Sequence, residues 1–258
     1  LSAHAIPSDG LVANYHFDDG TLRNQVGQRQ TAAMKQLSGE EEPAFEDTDD
    51  GKALRLNGDT WLDLQPVGVF RRSDPFTIGL WVNIPESLKE GVIFHKSIAE
   101  RLYNFRGYHL YLREDKLELS MAHTAPSNAI TLMTRDVVPR SQWIQLTMTY
   151  DGSSRAGGFE LFLDGNEMDL EVMTDQLTKD ILFRTKPEPA LQVGAWDRGF
   201  GFEDGAVDDI VVYDRVLTPF EVSILARKSD WTGVTSKKYG EHTRSDLEKL
   251  ERYYLSSV

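Results

Sequence analysis

GAVDDIVVYDRVLTPFEVSIL, residues Gly205 to Leu225, decides how the rest of the chain is read. It opens as a β-strand rich in Val, Ile and Tyr. Two adjacent carboxylates, Asp208 and Asp209, sit where a strand normally carries apolar or neutral residues. Such a pair needs partners, and solvent, a backbone donor or a cation could each supply them. Beyond Leu217 the pattern changes to a helix. Thr218 suits the N-cap, Pro219 the first helical position, and Glu221 completes a capping box.

Working outward, most of the chain alternates in the same way. FTIGLWVNI sets Phe76, Ile78, Leu80, Val82 and Ile84 on one face and Trp81 on the other. YHLYLREDKLELSM predicts a hairpin, with Tyr108, Leu110 and Leu112 before the Arg113–Lys116 turn and Leu117, Leu119 and Met121 after it. WIQLTMTYDG, FELFLDGNEM and LQVGAW follow, and two of them end in Asp-Gly turns. Upstream lie LVANYHFDDG and ALRLNGDTWLDL, the second broken by Asn57-Gly58. Alternation punctuated by such turns indicates antiparallel strands that each bury one face. Many of them in one chain indicate an all-β sandwich or barrel. The acidic run Glu40–Asp50 reads as a solvated loop.

The 258 residues suit one large β domain with a short appendage. We place the domain at residues 1–228. Residues 229–258 form a polar linker and an amphipathic helix, which should begin at Ser245 and align Leu247, Leu250 and Tyr254. The net charge of −13 argues against nucleic acid as a partner and suits cations or neutral ligands. No apolar run reaches the roughly 18 residues of a membrane helix, so no membrane insertion is expected. The absence of cysteine excludes disulfides, thiolate metal sites and a cysteine nucleophile. The six histidines show no metal-ligand spacing. No nucleophile elbow, phosphate loop or dinucleotide fingerprint is present.

The order of these segments resembles the laminin G-like domains of the concanavalin A-like lectin/glucanase superfamily over roughly residues 10–228. The resemblance implies a jelly-roll of two curved antiparallel sheets. The tail LEKLERYYLSSV is similar to the segment after such a module in large planctomycete-type bacterial proteins that carry a cytochrome-like region. A periplasmic or extracellular bacterial module beside neighbouring domains of a longer chain is therefore expected.

Three chemistries follow. Relatives often hold a structural calcium with an aspartate of the last strand and oxygens of earlier loops. The matching positions here are Asp18, Asn57, Asp208 and Asp209. In a regular strand Asp208 and Asp209 point to opposite faces, and Asp209 is the preferred ligand. Otherwise these groups cap turns and accept from backbone amides. The second chemistry is carbohydrate binding. Two glycine-flanked loops combine aromatic and polar groups: Tyr103, Asn104, Phe105 and Arg106 in one, Trp196, Asp197, Arg198 and Phe200 in the other. The same aromatics could simply pack. The third is glycoside hydrolysis, which in this superfamily uses acids alternating on one strand. That pattern is absent; Glu114, Asp115 and Glu118 come nearest and read as the rim of a turn. The expected function is non-catalytic carbohydrate binding; the alternative is a module that docks a protein or a neighbouring domain.

Overall fold

The computed structural model describes residues 6–27, 31–36, 39–49, 51–98, 105–195, 200–227, 241–245, 247–248 and 251. The alternating segments form two antiparallel sheets, face to face. One runs Asn166–Glu167, Phe159–Leu163, Trp143–Tyr150, Phe76–Asn83, Glu203–Tyr213, Gly51–Asn57, Phe45–Thr48, with Leu11–Tyr15 also paired to Glu203–Tyr213. The other runs Leu170–Asp175, Asn128–Thr134, Lys116–Thr124, Gly107–Arg113, Glu90–Lys96, Leu191–Val193, Trp61–Asp63, Ala33–Gln36, Gly39–Glu40.

The core between them is built from the predicted alternate positions. Phe76, Ile78, Leu80 and Val82 of one sheet meet Tyr108, Leu110, Leu119 and Met121 of the other. Phe76 is central: its ring stacks on Phe70 at 4.6 Å and lies 5.0 Å from Tyr108 and 5.5 Å from Tyr150. The two-residue turn Asp164-Gly165 has φ of 47° and 72°, the left-handed pair that matches strand twist.

Three local readings change. The acidic run is not all loop: Phe45–Thr48 pairs with Gly51–Asn57, and Phe45 packs against the core opposite Leu54. Asn57-Gly58 is not a hairpin turn; it carries the chain from one sheet to the other, because Gly51–Asn57 and Trp61–Asp63 belong to different layers. Glu118 is not on a solvated rim; it is a buried residue of Lys116–Thr124. In the tail, helical residues begin at Arg244, with the Leu247 amide bonded to the Thr243 carbonyl, and Leu247 is exposed. Leu250, Tyr254 and the boundary beyond Arg227 lie outside the described residues.

Helix Pro219–Leu225 carries the predicted capping box in full. Its residues Val222 and Leu225 pack with Val211, Tyr213 and Phe162 on the outer side of the eight-stranded sheet. Glu221 also takes a two-point ion pair from Arg215, at 2.6 and 2.9 Å. Thr218→Ala removes the acceptor for the Glu221 amide and should cost about 1 kcal/mol. Urea unfolding should show this as a lower midpoint at unchanged slope.

Candidate functional site

Side chains that point away from the core of the nine-stranded sheet face solvent or the loops laid over it. Leu62, Leu191, Val193, Phe94, Leu110, Leu119 and Ile130 are in the core, so their strand neighbours point outward. Cross-strand pairing then aligns one transverse row: Asp63, Gln192, His95, His109, Ser120, Thr131 and Thr174. Every member is polar. His95, His109 and Ser120 are nevertheless buried, with Phe105 packed on His109 and the Ala195 carbonyl on His95.

Next to the row, the Glu118 carboxylate accepts from His109 Nε2 at 3.1 Å and from Arg113 Nη2 at 2.9 Å. Burial pushes this carboxyl up, but the two donors outweigh it and its pKa lies below the ordinary value. His95 Nε2 donates to the Ala195 carbonyl at 3.1 Å. Burial drives the His95 pKa down to about 3, so the ring is neutral.

At one end the row opens into a cavity of about 440 Å³, within the range of small-molecule sites. Trp61, Asp63, Gln192, His95 and Ser97 form the floor, and the segment Thr185 to Pro189 forms a wall. Two buried floor groups, Trp61 Nε1 and Ser97 Oγ, have no hydrogen-bond partner among the described residues. Each such group costs about 1–3 kcal/mol unless something supplies the missing bond. The partly exposed Gln192 amide makes no hydrogen bond to any described residue. The charged lining groups are all paired. Lys35 Nζ lies 2.5 Å from Asp63 Oδ2, and Glu188 Oε1 takes the ammonium of fully buried Lys96 at 2.7 Å. Glu188 also accepts from the amides of Phe183 and Arg184, which ties the wall together.

The described members of the two predicted aromatic loops, Phe105, Arg106 and Phe200, lie beside the other part of this face. Phe105 is buried against Val92, Tyr111, Ala122 and Ala129, with its ring 4.6 Å from His109. Arg106 donates to the His123 carbonyl and lies over the Phe183 ring at 5.5 Å. Phe200 is 43% exposed and meets Tyr111 edge-on at 6.1 Å. Phe105 and Phe200 thus approach one another through His109 and Tyr111; of the two, only Phe200 offers a ring to solvent. Tyr103, Asn104, Trp196, Asp197 and Arg198 lie outside the described residues. Sequence reading missed the cavity, since its floor comes from three strands far apart in the chain, with one or two residues from each and Ser97 just past the end of one. The available signal was the run of polar residues at the off-core positions.

The predicted metal residues separate into two places. At Asp208–Asp209 the strand bulges: its register to Phe76–Asn83 shifts, and Asp209 adopts φ of 46°. Asp208 accepts from the amides of Asp209 and Phe17 and feels the charge of Asp18. Asp18 Oδ1 stands where only a glycine leaves room, since a Cβ on Gly51 would lie 1.8 Å from it. Burial, then the Asp209 charge, pushes the Asp208 pKa up to about 7. Asp209 Oδ2 instead takes Arg227 Nη2 at 2.8 Å. Asn57 is at the other end of its strand, six residues from Gly51 and hence about 20 Å away. There its side chain accepts from the amides of Asp59 and Thr60. Among the described residues, no three His, Asp or Glu side chains form a group that could hold a metal ion.

The fold is shared with solved structures. Domain 4 of an extracellular family 43 arabinanase from Geobacillus stearothermophilus, solved with arabinotriose, superposes with a TM-score of 0.62 at 23% identity, covering 84% of this chain and 98% of that one. The binding domain of Paraclostridial Mosquitocidal Protein 1 gives 0.60 at 16% identity, covering 84% of this chain and 52% of that one. The botulinum neurotoxin serotype D ligand-binding domain, solved with N-acetylneuraminic acid, gives 0.57 at 12%, covering 85% and 51%. The chain thus spans about half the length of these toxin domains. A search of curated proteins gives no match. A laminin G-type family model, described as the concanavalin A-like lectin/glucanases superfamily, matches residues 56–223. With most of the sandwich inside that match, this chain belongs to the laminin G-type family of the concanavalin A-like lectin/glucanases superfamily.

Proposed function

We propose that this chain is a non-catalytic carbohydrate-binding module of an exported bacterial protein, with calcium as a structural pin. The observation that carries the reading is the cavity on the outer face of the nine-stranded sheet, with its polar floor and buried unpartnered donors. Sugars present hydroxyls that both donate and accept, which suits such a floor. The neighbours solved with arabinotriose and with N-acetylneuraminic acid add support by analogy of fold.

The non-catalytic part rests on the state of the carboxylates on the cavity-bearing face, Glu118, Glu188 and Asp63. A glycosidase acid needs a raised pKa and an unencumbered oxygen. Glu118 and Glu188 have lowered values, and Asp63 is bound by Lys35. The calcium part rests on Asp18 and Asp208. Two carboxylates beside each other, one of them held against its charge by burial, suit a divalent cation. The remaining oxygens of a six- to eight-ligand shell would be backbone carbonyls and water.

A screen of the chain on an array of neutral and acidic glycans tests the main reading. Binding to at least one glycan class is expected. Silence across the array would move the assignment to docking, for which the exposed Val172 and Met173 on the edge strand Leu170–Asp175 would be the surface.

A further inference from the structure

We infer that the cavity beside Trp61 selects a neutral, hydroxyl-rich oligosaccharide, read by Trp61 Nε1, Ser97 Oγ and the Gln192 amide, and rejects acidic sugars. The inference rests on the carbohydrate reading above and narrows it to a site and a ligand class.

The selection follows from which groups are committed. Recognition of a carboxylate or phosphate normally uses an arginine fork or a free ammonium. The cavity lining contains no arginine among the described residues. Its lysine, Lys35, is held by Asp63, and Lys96 behind the wall is held by Glu188. An acidic sugar would have to displace one of these carboxylates and leave it unpaired. It would also approach a chain of net charge −13. His95 offers no positive charge, since it is neutral.

The uncommitted groups are neutral ones. The indole N–H of Trp61 only donates, the Ser97 hydroxyl donates and accepts, and the Gln192 amide does both. Trp61 and Gln192 lie on neighbouring strands of one sheet and Ser97 one residue past the end of the next, Gln192 being paired with both Asp63 and His95. Adjacent sugar hydroxyls match donors and acceptors at that kind of spacing. An apolar ligand would leave the indole N–H and the serine hydroxyl unsatisfied, so it fits the floor less well.

The test is calorimetric titration of the full chain with arabinotriose, the strongest neutral binders from the glycan array, and sialyllactose. Gln192→Ala, Ser97→Ala and Trp61→Phe are compared with wild type. Each should weaken neutral binding about five- to tenfold, the loss of one hydrogen bond to ligand. Trp61→Phe keeps an aromatic ring but removes the pyrrole half of the indole with its N–H, so its loss is read beside that of Ser97→Ala, which removes a hydroxyl alone. Partly exposed Gln192 tolerates truncation, so it serves if a buried variant fails to fold. Sialyllactose should bind at least about tenfold more weakly than the best neutral sugar. Neutral binding unchanged in all three variants would overturn the site while leaving the carbohydrate reading intact. Tighter binding of sialyllactose would overturn the ligand class. Absence of all glycan binding would end both the reading and this inference.

Discussion

Glu188→Ala should be among the most damaging single substitutions in the chain, costing about 3–5 kcal/mol of stability. Lys96 is fully buried, and its ammonium has Glu188 Oε1 at 2.7 Å. Truncation leaves that charge in the protein interior without its counter-ion. The ammonium also lies 5.3 Å from the Phe183 ring, a much weaker partner. The same change strips the amides of Phe183 and Arg184 of their acceptor. The wall of the cavity should therefore loosen as the global stability falls. Urea unfolding measures the first effect, and hydrogen exchange at residues 183–188 the second. The pair Lys96→Met with Glu188→Gln should recover most of the stability, because it removes the buried charge along with its partner. A midpoint for Glu188→Ala equal to that of wild type would show that the pair is immaterial. The pH dependence has a fixed sign. Burial raises the Glu188 carboxyl, but Lys96 and the two amides lower it further, so the net shift is downward. Its contribution is present above the ordinary value of 4.5 and disappears as pH falls through the lowered one.

Asp208 should behave in the opposite way. Its folded pKa of about 7 lies above the ordinary value of 3.8, with burial the main cause and Asp209 next. Between those values the folded state holds more protons than the unfolded state, so stability falls as pH rises from about 4 to 7. Asp208→Asn removes that decline. At pH 8 in chelator the variant should be more stable by about 2 kcal/mol, after discounting for partial exposure, or roughly 4–8 °C in melting temperature. Calcium should reverse the ranking. A cation that binds only the folded form at a hundred times its dissociation constant adds about 2.7 kcal/mol, and the asparagine variant should lose this. Melting curves of both proteins, with calcium and with chelator at pH 5 and pH 8, separate the two claims. Equal wild-type midpoints with and without calcium would remove the metal. A wild-type-minus-variant difference that does not fall with pH would remove the burial argument.

The two-sheet body was legible because each strand buries one face, and burial leaves an alternating trace in residues such as Phe76 to Ile84. Turns were legible where chemistry is local, as at Asp164-Gly165 and at the Thr218 cap. The strand Phe45–Thr48 was not, because its acidic residues suggest solvent while pairing to Leu54 is decided far along the chain. The sheet switch at Asn57-Gly58 was missed for a similar reason: an Asn-Gly step specifies a turn and not which layer receives the next strand. The cavity was the least legible feature. Trp61, Ser97 and Gln192 are brought together by register alone, and no motif links them. Of the aspartates, residue type and place in the strand were readable. The bulge that turns Asp208 toward Phe17 and leaves Asp209 to Arg227 was not, since regular alternation assigns them simply to opposite faces.

The helix Pro219–Leu225 packs on the outside of the eight-stranded sheet, and the first described residues come back to the same layer, where Tyr213 Oη donates to the Pro7 carbonyl. Arg227 rests 5.0 Å over the Trp81 ring on that side. Pro7 and Arg227 thus lie on one wall, and the cavity opens through the other. A chain tethered to a surface through its Trp81 side therefore keeps the mouth facing bulk solvent, open to a dissolved ligand.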